Sequence, residues 1–120
     1  HNSDTMGVNI IDAREVFEIG PSKTANKIKS ILGDAPTYLT FDIDCLDPAY
    51  AAGTGTPVWG GLSSIQASII LRDLAGINMV GGDVVEVAPQ YDVSGATAVA
   101  GAHVAHELIC IWGWNKKRRP

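Results

Sequence analysis

Asp42, Asp44 and Asp47 fall within six residues of one another in the stretch YLTFDIDCLDP, Tyr38 to Pro48. The opening Tyr, Leu, Thr and Phe favour a pleated, half-buried strand. Three unpaired carboxylates at its end repel one another and resist burial. On an extended chain Asp42 and Asp44, at i and i+2, project to the same side, about 7 Å apart along the strand. Carboxylates so placed can share one hard divalent cation, or a pair of cations with one carboxylate bridging. A metal turns their repulsion into attraction, which explains why the chain tolerates the cluster. The plainer alternative has one carboxylate capping the next turn and the other solvated. Asp47, just ahead of Pro48, suits a turn former or a group that supports the ligands.

Glu86 is the second chemically suggestive residue. It stands between Val85 and Val87, in a run that is otherwise built for burial, and a carboxylate there needs a partner. A guanidinium fork is the best geometric match, because its donors meet both carboxylate oxygens. That guanidinium belongs either to a ligand or to a structural ion pair. Ahead of the basic tail only Arg14, Lys23, Lys27, Lys29 and Arg72 are available for the pair. Asp83, three residues earlier, is expected to face away from Glu86 in a structural role. His103 and His106 have the i, i+3 spacing of a metal pair, but a third ligand is missing nearby and packing explains them better. Trp59, Trp112 and Trp114 read as core or interface residues, and no serine has the context of a nucleophile elbow.

The elements that must position these groups follow from periodicity and punctuation. Gly7–Asp12 (GVNIID) is predicted as a strand from its β-branched residues. A helix follows from Pro21, with Ser22 as N-cap, an apolar stripe of Ile28, Ile31 and Leu32, and Gly33 closing it. Thr37–Asp42 is the second strand. A long loop rich in Gly and Pro then runs to about Gly61, the kind of connection that usually carries function. The run LSSIQASIILRDLAG is a helix capped by Ser63 or Ser64 and closed by Gly76. INMVGGDVVEVAP is the third strand region. The last helix spans about Gly95 to Trp112, with a small-residue face of Ala96, Ala98, Ala100, Ala102 and Ala105. Strands alternating with helices imply an α/β fold with a parallel sheet. Ligands then bind beyond the carboxyl ends of the strands, where Asp42 and Glu86 both fall.

Composition narrows the partners. The 120 residues carry 9 basic and 13 acidic side chains, a net charge of −4. Four of the basic residues form the tail Lys116–Arg119, which leaves five against thirteen ahead of it. An acidic body disfavours nucleic acid and fits a cationic ligand or a metal. No stretch has the length of a membrane span. Cys45 and Cys110 lack both CxxC spacing and the density of a disulfide scaffold, as expected of a cytoplasmic chain. The opening HNSDTMG has no initiator Met, so the expectation is a processed chain or a piece of a longer one.

The block TFDIDCLDPAYAAGTGTPVWGGLS, from Thr40, and the block GGDVVEVAPQYD, from Gly81, together closely resemble the ureohydrolases. This is the arginase and agmatinase family, and within it the agmatinases are the nearest match. The resemblance is strong from Tyr38 to Ile111 and weak over Gly7–Thr37. It implies a three-layer α/β/α parallel sheet of the arginase type, of which residues 1–120 form one partial domain, the C-terminal portion. It also implies a two-manganese hydrolase in which a metal-bridging hydroxide attacks a guanidinium carbon, giving urea and an amine. Carried over by position, Asp42 would bridge both Mn2+ ions, Asp44 would bind one, Glu86 would orient the guanidinium as a catalytic and substrate-binding residue, and Thr56 would lie against the substrate. The implied substrate is a guanidino compound such as agmatine, with a place in polyamine metabolism. The implied assembly is a homo-oligomer, trimer or hexamer, in the cytoplasm.

The family takes its remaining metal ligands from GGDH and DAHxD motifs, and neither occurs here. Gly81–Asp83 is followed by Val84, not His. The expectation is therefore a fragment, inactive alone, whose three-strand sheet leaves an edge that drives association. Two other readings compete. LTFDIDCLD also resembles the opening of a haloacid-dehalogenase-type phosphatase. That family usually has Thr or Val where Leu46 stands, and a Lys between its motifs where this chain has none. The other competitor is a non-catalytic split or decayed paralogue that binds an intact subunit.

Overall fold

The computed structural model describes residues 6–118. Helix α1, Ala13–Ile19, starts at Asp12, whose side chain accepts the Glu15 amide at 2.8 Å. Gly20 (φ 86°) turns the chain directly into α2, Pro21–Leu32. Pro21 takes the first helical position, where a missing N–H costs nothing, so Gly20 is the N-cap and the expected Ser22 lies inside the helix. Gly33 closes α2 as its sequence position suggests.

The predicted strand over Gly7–Asp12 does not form: the segment has no ladder partner among the described residues, and Val8 and Ile10 are exposed. β-branched residues favour a pleat only where a neighbouring strand supplies hydrogen bonds and cover. Here Asp12 is spent on capping α1, a short helix that the sequence reading overlooked.

Two strands remain, β1 (Thr37–Asp42) and β2 (Met79–Val85), paired in parallel with Asp42 opposite Val85. Among the described residues the sheet has two strands rather than the three expected. Leu39 and Phe41 point into the core, while Tyr38 and Val80, each 60% exposed, lie uncovered.

Helix α3, Ser64–Asp73, begins with a capping box in which Ser63 and Gln66 satisfy each other's orphan backbone donors. It packs against α2 and against the last helix, α4, Ala96–Arg118, which lies on β2. The buried stripe of α4 is Thr97, Gly101, Val104, Leu108, Ile111 and Asn115. This spacing of three and four follows the helical period. The predicted small-residue face is thereby corrected. Alanines two apart rotate about 200° around a helix, and Ala96, Ala98 and Ala102 are exposed.

Helix α4 also runs six residues past the predicted Trp112. Asn115 holds it there, donating to the Ile77 carbonyl at 2.5 Å and accepting from the Gly76 amide at 3.2 Å. Lys116 covers the Trp112 ring and Arg118 the Trp114 ring, pairs at i, i+4 that the sequence spacing contained. The core between these helices and the sheet is built from Phe41, Ile43, Leu71, Met79, Leu108 and Ile111. Full burial of each such side chain is worth roughly 1.5–3 kcal/mol. No helix among the described residues is long and apolar enough to cross a membrane.

Candidate active site

β1 ends at Asp42 and the chain folds at once into a single 3-10 turn, Ile43–Cys45. The cause is local. Ile43 is fully buried, and the Asp42 carboxylate caps the turn by accepting the Asp44 amide at 3.1 Å. Asp42 and Asp44 are therefore folded over one turn and not spaced along an extended strand as their i, i+2 pattern suggested. The capping alternative and the paired-carboxylate reading coexist, since one Asp42 oxygen caps while Asp44 stays close beside it.

The Asp42 carboxyl is held above the ordinary carboxylate range. Burial is the main cause. The Asp44 amide opposes it, while the Asp44 side chain and the charge of Glu86 push in the same direction. Neighbouring negative charge favours the neutral form.

Thr56 reaches this turn from the Gly/Pro loop, its hydroxyl donating to Asp44 Oδ2 at 2.7 Å. Glu86 reaches it from β2. The structure corrects its expected position: Glu86 stands one residue beyond the strand, exposed, at φ 65°. That left-handed conformation costs a non-glycine residue about 1–2 kcal/mol. Because Asp42 lies opposite Val85, Glu86 emerges at the carboxyl end next to it, near enough for its charge to act on Asp42. The internal basic residues are largely committed elsewhere. Arg14, Lys27 and Arg72 pair with Glu18, Glu15 and Glu107, and Lys29 donates to the Asp73 and Ala75 carbonyls.

The other acidic residues organise the frame. Asp47 accepts the Ala49 and Gly60 amides, both at 2.9 Å, and these bonds lower its pKa. It is the turn former that its place before Pro48 suggested. Asp83 accepts the Tyr38 hydroxyl at 2.9 Å, a structural role. His103 lines a cavity of about 370 Å³ between α3 and α4, with Ser64, Leu71 and Arg72. His106 contacts Cys110, Nε2 to Sγ 3.6 Å. Neither histidine is in the acidic crevice.

Sequence reasoning missed the anchors of the loop. Gly53 donates its amide to Thr97 Oγ1 at 2.8 Å, and Asp92 accepts the Thr97 and Ala98 amides at 2.9 and 2.8 Å. The signal was present: Thr97 is a polar residue at the head of the buried stripe of α4.

Among the described residues, no group of three or more His, Cys, Asp and Glu side chains is arranged to hold a metal ion by itself. Asp42 and Asp44 offer hard carboxylate oxygens, two ligands of the type a manganese or magnesium ion takes. They fit a share of such a centre.

Two parallel strands, helices packed on them and an acidic crevice past their carboxyl ends define a protein of the open α/β class. Within that class the chain belongs to the arginase family, whose family model matches residues 1–110. It is 54% identical over 116 residues to an agmatinase of Chromobacterium violaceum, covering 97% of this chain and 36% of that protein. It is 48% identical to a guanidinopropionase of Pseudomonas aeruginosa, covering 88% of this chain and 33% of that protein. A crystal structure described as a hypothetical agmatinase from Burkholderia thailandensis superposes with a TM-score of 0.91 at 58% identity, over 98% of this chain and 37% of that one. The arginase of Bacillus caldovelox superposes at 0.82 and 28% identity, over 88% and 36%. The arginase-type α/β fold expected from the sequence is the fold of this chain. It spans little more than a third of the length of these relatives.

Proposed function

We propose that this chain carries one side of the active site of an agmatinase-like hydrolase, which cleaves a guanidino compound to urea and an amine with two manganese ions. The observation that carries the reading is the convergence of Asp42, Asp44 and Glu86 past two parallel strand ends, with Glu86 bearing electrostatically on Asp42. The agmatinase and guanidinopropionase relatives give it chemical direction.

Manganese, when bound, supplies activated water and offsets the repulsion among the carboxylates. Asp42 and Asp44 are the residues that would hold it, and further ligands would come from the rest of an arginase domain. The Thr56 hydroxyl occupies one lone pair of Asp44 Oδ2, which fixes how that carboxylate is turned. Glu86 accepts the guanidinium N–H groups of the substrate, and its exposed, left-handed position leaves both oxygens free to do so. Agmatine is the proposed substrate. The free cysteines suit a reducing cytoplasm. The uncovered Tyr38 and Val80 suit a homo-oligomer, trimer or hexamer, or docking onto an intact ureohydrolase subunit.

The test is binding and turnover on the same preparation. With the chain joined to the rest of an arginase domain, Mn2+ binding followed by electron paramagnetic resonance is expected in the wild type and lost in Asp44→Asn. Glu86→Gln is expected to keep Mn2+ and lose affinity for agmatine. Urea release, if seen, should need Mn2+. Turnover of a phosphate ester with Mg2+, without any affinity for guanidines, would instead establish the phosphatase reading.

A further inference from the structure

The two halves of the crevice come from different parts of the fold. Asp44 and Thr56 lie on the loop side and Glu86 on the exit of β2. One peptide joins them. The Gly53 amide donates to the Thr97 hydroxyl at 2.8 Å, and the Gly53 carbonyl accepts the Ala88 amide at 2.8 Å. Gly53 is thus bonded on one side to α4 and on the other to a residue two positions after Glu86.

The clasp is tight. Thr97 is 1% exposed, so its hydroxyl oxygen has no water to replace the Gly53 amide. A Cβ at Gly53 would fall 2.6 Å from the Asp92 Cβ and 2.9 Å from its Cα, so no larger residue fits against the Asp92 cap. Asp92 in turn fixes Thr97 by accepting its amide. Downstream of Gly53, three residues lead to Thr56 and its bond to Asp44. Upstream of Ala88, two residues lead back to Glu86, whose left-handed backbone persists only if its flanks are held.

We infer that Thr97 is a positioning residue of the active site: through the Gly53 peptide, its hydroxyl sets the Thr56–Asp44 pair and Glu86 at a fixed separation. The inference rests on the proposed guanidino hydrolase reading. It adds a residue with no side-chain role in the crevice, acting from the first turn of α4. Removing the hydroxyl frees both anchors at once, because the Gly53 amide then lacks an acceptor in a buried place.

The experiment compares Thr97→Val, which keeps the shape and removes the acceptor, with Thr97→Ser, which keeps the acceptor, each in a protein that joins this chain to the rest of an arginase domain. Amide hydrogen exchange of Gly53 and Ala88 is read by NMR, alongside Mn2+ affinity, at a temperature well below melting. In Thr97→Val both amides should exchange about tenfold to a hundredfold faster, and Mn2+ affinity should fall about tenfold. Thr97→Ser should restore both. Should Thr97→Val fail to fold, Thr97→Ser and Asp92→Asn carry the same comparison. Unchanged exchange in Thr97→Val overturns the inference, as does unchanged Mn2+ affinity once both amides are freed, or a serine variant as defective as the valine one. If no form binds Mn2+ while the two amides respond together, the clasp stands and the hydrolase reading fails.

Discussion

Gly61 closes the functional loop, and replacing it with alanine tests how that loop is held. A Cβ at Gly61 would lie 2.6 Å from the Asp47 amide nitrogen, 2.8 Å from the Cys45 carbonyl oxygen and 2.8 Å from the Leu46 carbonyl carbon. All three are backbone atoms of the segment that follows Asp44, so no side chain can rotate away. Relief requires separating the short parallel bridge between Leu46 and Leu62. That bridge rests on two backbone hydrogen bonds, Asp47 N–H to the Leu62 carbonyl and Leu62 N–H to the Cys45 carbonyl, each 2.9 Å. Losing both costs about 1–3 kcal/mol at typical net values, and residual overpacking adds about 1–3 kcal/mol.

Gly61→Ala should therefore destabilise by about 2–6 kcal/mol and lower the melting temperature on the order of 10 °C. Gly55→Ala is the control. A Cβ there meets nothing within 4 Å and φ is not positive, so its melting should stay within about 0.5 kcal/mol of the wild type. The assay is thermal unfolding followed by circular dichroism on the three proteins. If Gly61→Ala melts together with Gly55→Ala, the close approach described here does not hold the loop, and the reasoning about its anchorage is wrong.

The two thiols should differ in reactivity. Burial first, then the charges of Asp42 and Asp44, push the Cys45 thiol up to about 11, so at pH 8 it stays protonated while Cys110 is exposed. Iodoacetamide at pH 8 should label Cys110 alone in the native chain and both cysteines in urea, as counted by mass spectrometry; equal native rates would contradict this. Asp92 has a lowered pKa because it accepts the Thr97 and Ala98 amides. A depressed folded value contributes stability above the unfolded pKa, about 3.9, and that contribution is lost as pH falls through the folded value. Asp92→Asn should be less stable at pH 7 and show a flatter acid limb below about pH 4; parallel limbs in the two proteins would refute the assignment. Asn115→Ala leaves the Gly76 amide and the Ile77 carbonyl unmet, a loss of about 1–3 kcal/mol. Amides of residues 112–118 should then exchange faster, and unaltered exchange would show that α4 needs no such anchor.

The family, the fold class and the acidic crevice were legible before any coordinates, because each rests on local order. A strand-forming run ending in DID fixes its carboxylates at a strand end wherever that strand packs. Gly33 and Ser63 close and open their helices through bonds made within a few residues. Gly7–Asp12 shows the opposite case. Its β-branched residues allow a strand, but a strand needs a partner, and its place beside β1 or β2 depends on distant residues that local sequence does not encode.

Tertiary structure alone decided the placement of Glu86 past the strand, next to Asp42, through the Asp42–Val85 register, and it alone made Gly53 the peptide that joins the two sides. These are contacts between residues far apart in the chain, Asp42 with Val85 and Gly53 with Ala88 and Thr97. Hydrophobic patterning fixes which faces are buried, and the register then decides which polar groups meet.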